Sequence, residues 1–287
     1  MIAATLAFVF VIIGLAGFII LTAVKAWKYA HLSVHSRVEL YPVPKEGGGR
    51  GKYGGSYFEE EDWWEKPRKL DSVYEVIDIM KEMLLISKLF THQRSLWWAS
   101  YAFHLGIYVM FGWSLLLLIS VFWAPEFFVI GTTVVGVIGF ALSTVGAVLL
   151  LVRRFADESL RKYTPPQEYF NILLILATLV TGIVSWTLFA SPFEVARSVF
   201  TFNTTALPPI VVAHFVLLGV TLLYIPLSKM SHYVGKFFAF HKVLWVNDPN
   251  VTGSKVAELI ERESARPVQT QWAAPHTHPA SSDTLEG

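Results

Sequence analysis

The 287-residue chain is 54% hydrophobic and only 16% charged, with a mean hydropathy of +0.49 and a net charge of +1. A soluble globular domain carries about a quarter of its residues as charges, so this composition places the chain in the membrane class, and its balanced charge gives nucleic acid nothing to bind. Cysteine is absent, which excludes disulfides, thiolate-held metal clusters and thioether-attached prosthetic groups within this chain.

About 20 consecutive apolar residues cross a bilayer core as a helix, and five segments meet that length. The first is Ile2–Val24. It lacks a basic leader and a small-residue cleavage site, so it reads as a retained span. A long polar stretch follows. It is Gly-rich at Gly47–Lys52, then acidic and aromatic from Glu59 to Trp64. From Asp71 to Phe90 the apolar residues Val73, Ile77, Met80 and Leu84 recur at helical spacing among Glu75, Asp78, Lys81 and Glu82. That pattern predicts an amphipathic helix lying on a membrane surface or on a soluble partner. The remaining spans are Leu96–Phe122, Phe127–Val152, Tyr169–Ala190 and Pro209–Leu227, the last running on past Pro226 towards Phe238. The tail after Pro267 shows no periodicity.

The expected organisation is therefore a first transmembrane helix in residues 1–27, a loop with the amphipathic helix in 28–95, a four-helix region in 96–240 and a tail in 241–287. Of the 23 Lys and Arg residues, 22 fall in Lys25–Arg94, in Arg153–Lys162 or from Lys229 onward, and only Arg197 lies on the other side. The positive-inside rule makes the basic side cytoplasmic, with the N-terminus out and the C-terminus in. The fold class is an all-α, five-span, multi-pass protein of the cell membrane.

A ligating or ionisable side chain within a span is expensive in hydrocarbon and marks function by default. His92 and His104 fall on the second span, and His214 and His232 on the fifth. At 1.5 Å per residue, His104 lies about 18 Å further out than His92, and His232 about 27 Å further in than His214. Depth thus pairs His104 with His214 near the outer face and His92 with His232 near the inner one. Each pair would hold the iron of a six-coordinate haem b. Helical rotation supports this for His214 and His232, which share a face, while His92 and His104 differ by roughly 120°. The competing reading for each His is a hydrogen-bonded packing residue. His31, His35 and His241 read as surface-facing, and His276 and His278 as part of the tail. Gly106, Gly182 and Gly219 are candidates to line porphyrin faces. Arg94, Arg153 and Arg154 are candidates to neutralise propionates, or else ordinary membrane anchors.

The five-span layout, the segment Thr91-His92-Gln93-Arg94…Phe103-His104 and the pair Ala213-His214…Ser231-His232 resemble the cytochrome b subunits of the nitrate reductase gamma family. The 12-residue spacing of the first His pair and the long 28–90 loop are more similar to the DsrM-like branch, found in sulfite-reduction-associated and heterodisulfide-reductase-like membrane complexes. The likeness covers Asp71 to Pro249. It implies a respiratory electron-transfer subunit of a quinol oxidoreductase complex with two haem b groups. It further implies exchange of electrons between a quinone pool, typically menaquinol, and an iron–sulfur subunit on the cytoplasmic face, with other membrane or extracytoplasmic redox subunits alongside. Trp63, Trp64, the amphipathic helix and Phe237–Pro249 are the expected docking surface. The outer loop Ser191–Pro208, with Glu194 and Arg197, is the expected border of the quinone site. Two other readings use the same residues: a proton channel or transporter with a His relay, and a cofactor-free anchor. No internal repeat of the kind transporters show is visible.

Overall fold

The computed structural model describes residues 2–31, 61–62, 72–201, 207–239, 252–253 and 255–265. Among the described residues all regular structure is helical. In chain order the helices are α1 (Ile2–Ala30), α2 (Ser72–Leu85), α3 (Ser87–His92), α4 (Arg94–Ser120), α5 (Glu126–Ala156) and α6 (Glu158–Tyr163). They continue with α7 (Pro166–Leu188), α8 (Pro192–Thr201), α9 (Pro209–Leu227), α10 (His232–Ala239) and α11 (Lys255–Ser264). Two compact units divide the chain, Met1–Ala30 with Val73–Phe237, and His31–Ser72 with Phe238–Gly287. Helix α11 is the one described helix lying wholly in the second unit. All the long apolar helices belong to the first. Trp63, Trp64, His35, His241, His276, His278 and the segment 240–249 lie outside the described residues.

Five helices, α1, α4, α5, α7 and α9, are long and apolar enough to cross a bilayer. Their large apolar side chains are exposed along much of their length, Ile19, Phe111, Ile130 and Leu188 among them. That inversion suits a lipid solvent. Proline opens α7 and α9 at Pro166 and Pro209, where its fixed φ fits the first helical turn and its missing N–H costs nothing.

Lipid tails are as apolar as leucine, so these helices gain from close packing and hydrogen bonds rather than from escaping water. Helix α4 meets α5 backbone to backbone. A Cβ at Gly106 would lie 2.2 Å from the Ser143 amide nitrogen, and one at Gly146 would lie 2.3 Å from that of Phe103. Only glycine admits that approach. Helix α1 runs parallel to α9. Phe8 meets Phe215 edge-on at 5.4 Å near their starts, Gly14 abuts Gly219, and Lys25 Nζ donates to the Pro226 carbonyl at 2.9 Å near their ends. Helix α7 ties to α9 through the buried Thr178 and Thr221 hydroxyls, 2.9 Å apart, and through Tyr224, which donates to Asn171 Oδ1 at 2.9 Å. The ends of α1, α5 and α9 and the starts of α4 and α7 share what we term the basic end.

Three expectations change. The fifth span does not continue to Phe238. Helix α9 stops at Leu227, Ser228 is extended at ψ −178°, and a 3-10 turn at Lys229–Ser231 leads into the separate helix α10. Pro226 lacks the N–H that would bond one turn back. The amphipathic segment is two helices, broken at Ile86, which adopts φ 51° and ψ 49°. A β-branched residue there is strained, and the break turns α3 away from α2. The outer loop expected at Ser191–Pro208 contains a helix, α8, whose Val199 joins Phe8, Val211 and Phe215 in a buried cluster.

Candidate functional site

Helix α4 begins at Arg94, after Gln93 breaks the chain at φ −141°, so His104 lies ten residues into the span. His232 opens α10, just beyond the turn that ends α9. The structure brings these two together. Their ring centroids are 5.9 Å apart and their planes cross at 76°. Depth alone pairs His104 with His214 and His92 with His232; the ring contact formed in the structure is His104 with His232. His92 closes α3, outside the span, and is exposed. Depth counting assumes one straight helix from His92 to His104 and another from His214 to His232. Gln93 and Pro226 each end that assumption.

Three imidazoles, the half-buried His104 and His214 and the more exposed His232, are held through Nδ1. His104 donates to the Ser100 carbonyl at 2.7 Å, and His232 to the Lys229 carbonyl at 3.4 Å. His214 donates to the Thr178 carbonyl at 3.1 Å and has the Thr181 hydroxyl at 3.2 Å. A carbonyl only accepts, so the ring proton sits on Nδ1 and the lone pair is left on Nε2. Orienting a ligating histidine through its other nitrogen is the usual outer-sphere arrangement. Burial holds the His232 imidazole below its usual pKa, with the Lys236 ammonium adding to the effect and the Lys229 carbonyl opposing it. The neutral ring is the form that binds a metal.

Two metal–imidazole bonds of about 2 Å each, with the half-widths of two five-membered rings, would span about 6 Å between ring centroids. At 5.9 Å, in an edge-on contact, His104 and His232 are near enough to hold one metal centre together. Among the described residues no group of three or more His, Asp or Glu converges as a metal site. A bare ion would want more protein ligands than two imidazoles. A macrocycle that brings its own equatorial nitrogens would not, so the donor set fits haem.

A cavity of about 430 Å³ opens beside His232, lined by Lys25, Tyr29, Gln167, Lys229 and Ser231. Lys25 also donates to Ser231 Oγ at 2.5 Å. Two ammonium groups beside an axial-type histidine suit a pair of carboxylates. The arginines singled out in the sequence are otherwise engaged or turned away. The Arg94 guanidinium lies 4.6 Å over the Phe90 ring, Arg154 pairs with Glu168, and Arg153 is exposed. Gly106 and Gly219 serve helix contacts rather than a porphyrin face, while Gly182 lies beside His214 and Phe140.

Helix α2 is anchored to this region. Glu82, only 5% exposed, accepts from Lys236 Nζ of α10 at 2.6 Å and from the Lys88 amide at 2.9 Å. Tyr108 of α4 donates to the Met83 carbonyl at 2.8 Å, and Trp97 to the Leu85 carbonyl at 2.7 Å. Glu82 does not stand out as a site residue in the sequence, although the signal exists. It lies three residues from the buried Ile79, on the apolar stripe of an amphipathic helix, where a carboxylate needs a partner.

The family model described as nitrate reductase gamma subunit matches residues 85–246, more than half of the chain. No curated protein matches the chain.

Proposed function

The chain belongs to the nitrate reductase gamma subunit family, and we propose that within it this protein holds a haem b between His104 and His232 and passes electrons across the basic end of the bundle. The family comprises membrane cytochrome b subunits of redox enzyme complexes, so the chain is a multi-pass membrane protein and a subunit of an oxidoreductase. The observation that carries the haem assignment is the 5.9 Å approach of two imidazoles whose Nδ1 atoms are already committed to carbonyls.

A haem held by His104 and His232 would supply one-electron transfer. The protein does the rest. Ser100 and Lys229 carbonyls orient the two rings. Lys25 and Lys229 offer positive charge for the propionates beside His232. The tight α4–α5 contact at Gly106 keeps His104 at a fixed depth. The Glu82–Lys236 pair clamps α2 over the helix that begins with His232.

The basic end is assigned to the cytoplasmic side, on the distribution of 22 of 23 basic residues. An iron–sulfur subunit there would exchange electrons with this haem, and a quinol such as menaquinol is the membrane-side donor or acceptor. The DsrM-like branch is favoured by the long 28–95 segment. The 12-residue His92–His104 spacing no longer speaks for it, because His92 sits outside the span.

The test is a reduced-minus-oxidised spectrum of the purified membrane complex. A b-type spectrum is expected, and His104→Ala and His232→Ala should each abolish it while the chain still inserts. A complex with no haem, or one in which both variants keep the full spectrum, would sink the assignment.

A further inference from the structure

We propose that α2 is embedded in the basic-side leaflet, at the boundary of headgroups and acyl chains, with Val73, Val76, Ile77, Met80 and Leu84 against lipid rather than against a soluble partner. The inference goes beyond the haem reading and does not depend on it.

The faces of the helix come first. Val73, Ile77, Met80 and Leu84 recur at helical spacing on one stripe, and Val76 flanks it. All five are exposed, from 39% at Ile77 to 69% at Val73. The rest of the protein takes a different side of the helix, where Ile79 and Glu82 are buried. Lys81 is exposed on a third side. A helix resting on a protein in water needs one apolar side, the one it buries. A helix at a lipid–water boundary needs another for the acyl chains, with its charges turned to the headgroups and water.

Depth agrees. Helix α4 is a span, and Tyr108 lies about 21 Å along it from Arg94. Its hydroxyl donates to the Met83 carbonyl at 2.8 Å, and a tyrosine side chain with one hydrogen bond reaches roughly 9 Å. Met83 therefore sits about 12 Å inside the start of the span. Trp97 and Trp98, in the first turn of α4, are the side chains that mark a membrane interface, and Trp97 Nε1 donates to the Leu85 carbonyl at 2.7 Å. The end of α2 thus lies at the tryptophan level and just below it, where amphipathic helices settle.

The backbone separates lipid from water as the surroundings. The last four carbonyls of a helix have no partner within it. Water would satisfy them, but lipid cannot, so the protein must. Three of these four meet side chains from other helices. Lys236 Nζ reaches the Glu82 carbonyl at 3.5 Å, Tyr108 bonds that of Met83 and Trp97 that of Leu85. One residue earlier, the Ser87 hydroxyl donates to the Lys81 carbonyl at 3.1 Å. The Tyr108 hydroxyl gains equally, since a span offers it no water. This withdraws the outer face of α2 from the docking surface expected in the sequence.

The experiment is photolabelling of the intact complex in phosphatidylcholine–phosphatidylglycerol vesicles doped with a phospholipid that carries a diazirine on its acyl chain. Peptide mapping should find adducts on Val73, Ile77, Met80 and Leu84 in yields comparable to those on Phe111 and Leu115, exposed on α4. Adducts on α4 with none on α2 would overturn the inference. A second arm replaces methionine with its diazirine analogue during growth. Met80 should then crosslink to lipid, and a crosslink from Met80 to another polypeptide would overturn the inference. Neither arm reads haem, so either result leaves the His104–His232 assignment to its own test.

Discussion

At the basic end, two imidazoles meet edge-on at 5.9 Å and a polar cavity with two lysines opens beside His232. Further along the same helices, Trp113, Phe140 and Trp186 close on each other and the one histidine present spends its N–H on a neighbouring backbone. Helix α4 contributes to both, so the difference lies in which side chains meet it. Two ligand-type residues converge where lysines are at hand. The aromatic rings pack where α4, α5 and α7 meet. A buried histidine in a membrane bundle is therefore informative only with its partner in view.

Opening the aromatic half gives the largest expected effect beyond the axial variants themselves. Trp113→Ala should cost about 3 kcal/mol, read as a lower thermal midpoint in detergent, while haem per chain stays the same. A smaller effect is expected at the basic end. Glu82→Gln leaves Lys236 without its carboxylate and should cost about 2 kcal/mol, below the range for fully buried pairs because the lysine is 30% exposed. Removing negative charge near His232 should also raise the midpoint potential of the haem. An unchanged potential would show that the clamp lies too far from the iron to be felt.

The smallest effect lies away from both regions, at the junction of α5 and α6. Asp157 caps α6, accepting from the Ser159 and Leu160 amides at 2.9 and 3.2 Å. The Leu160 amide first, then the Ser159 hydroxyl, hold its carboxyl below the usual range. Its contribution is present above the ordinary carboxylate pKa and is lost as pH falls through the depressed one. Asp157→Asn should remove that acid dependence with little change at neutral pH, as followed by thermal midpoints across the acid range.

Hydropathy alone located the five spans to within a few residues, because a helix that must satisfy its backbone in lipid needs an apolar run of fixed length. The two glycines at the α4–α5 contact were legible only as small residues, since their purpose depends on which helix lies opposite. The histidines were legible as ligand candidates from type and burial. Their partners were not, because pairing by depth treats helices as straight rods. The break at Gln93 and the stop at Pro226, Leu227 and Ser228 are local events with large consequences. The first removes His92 from the span and the second moves His232 onto a helix of its own. Composition and periodicity thus determined that the chain crosses the membrane and which side chains could hold iron. Tertiary structure alone decided which two of them meet, because a ligand pair is a distance between helices and no one-dimensional pattern contains it.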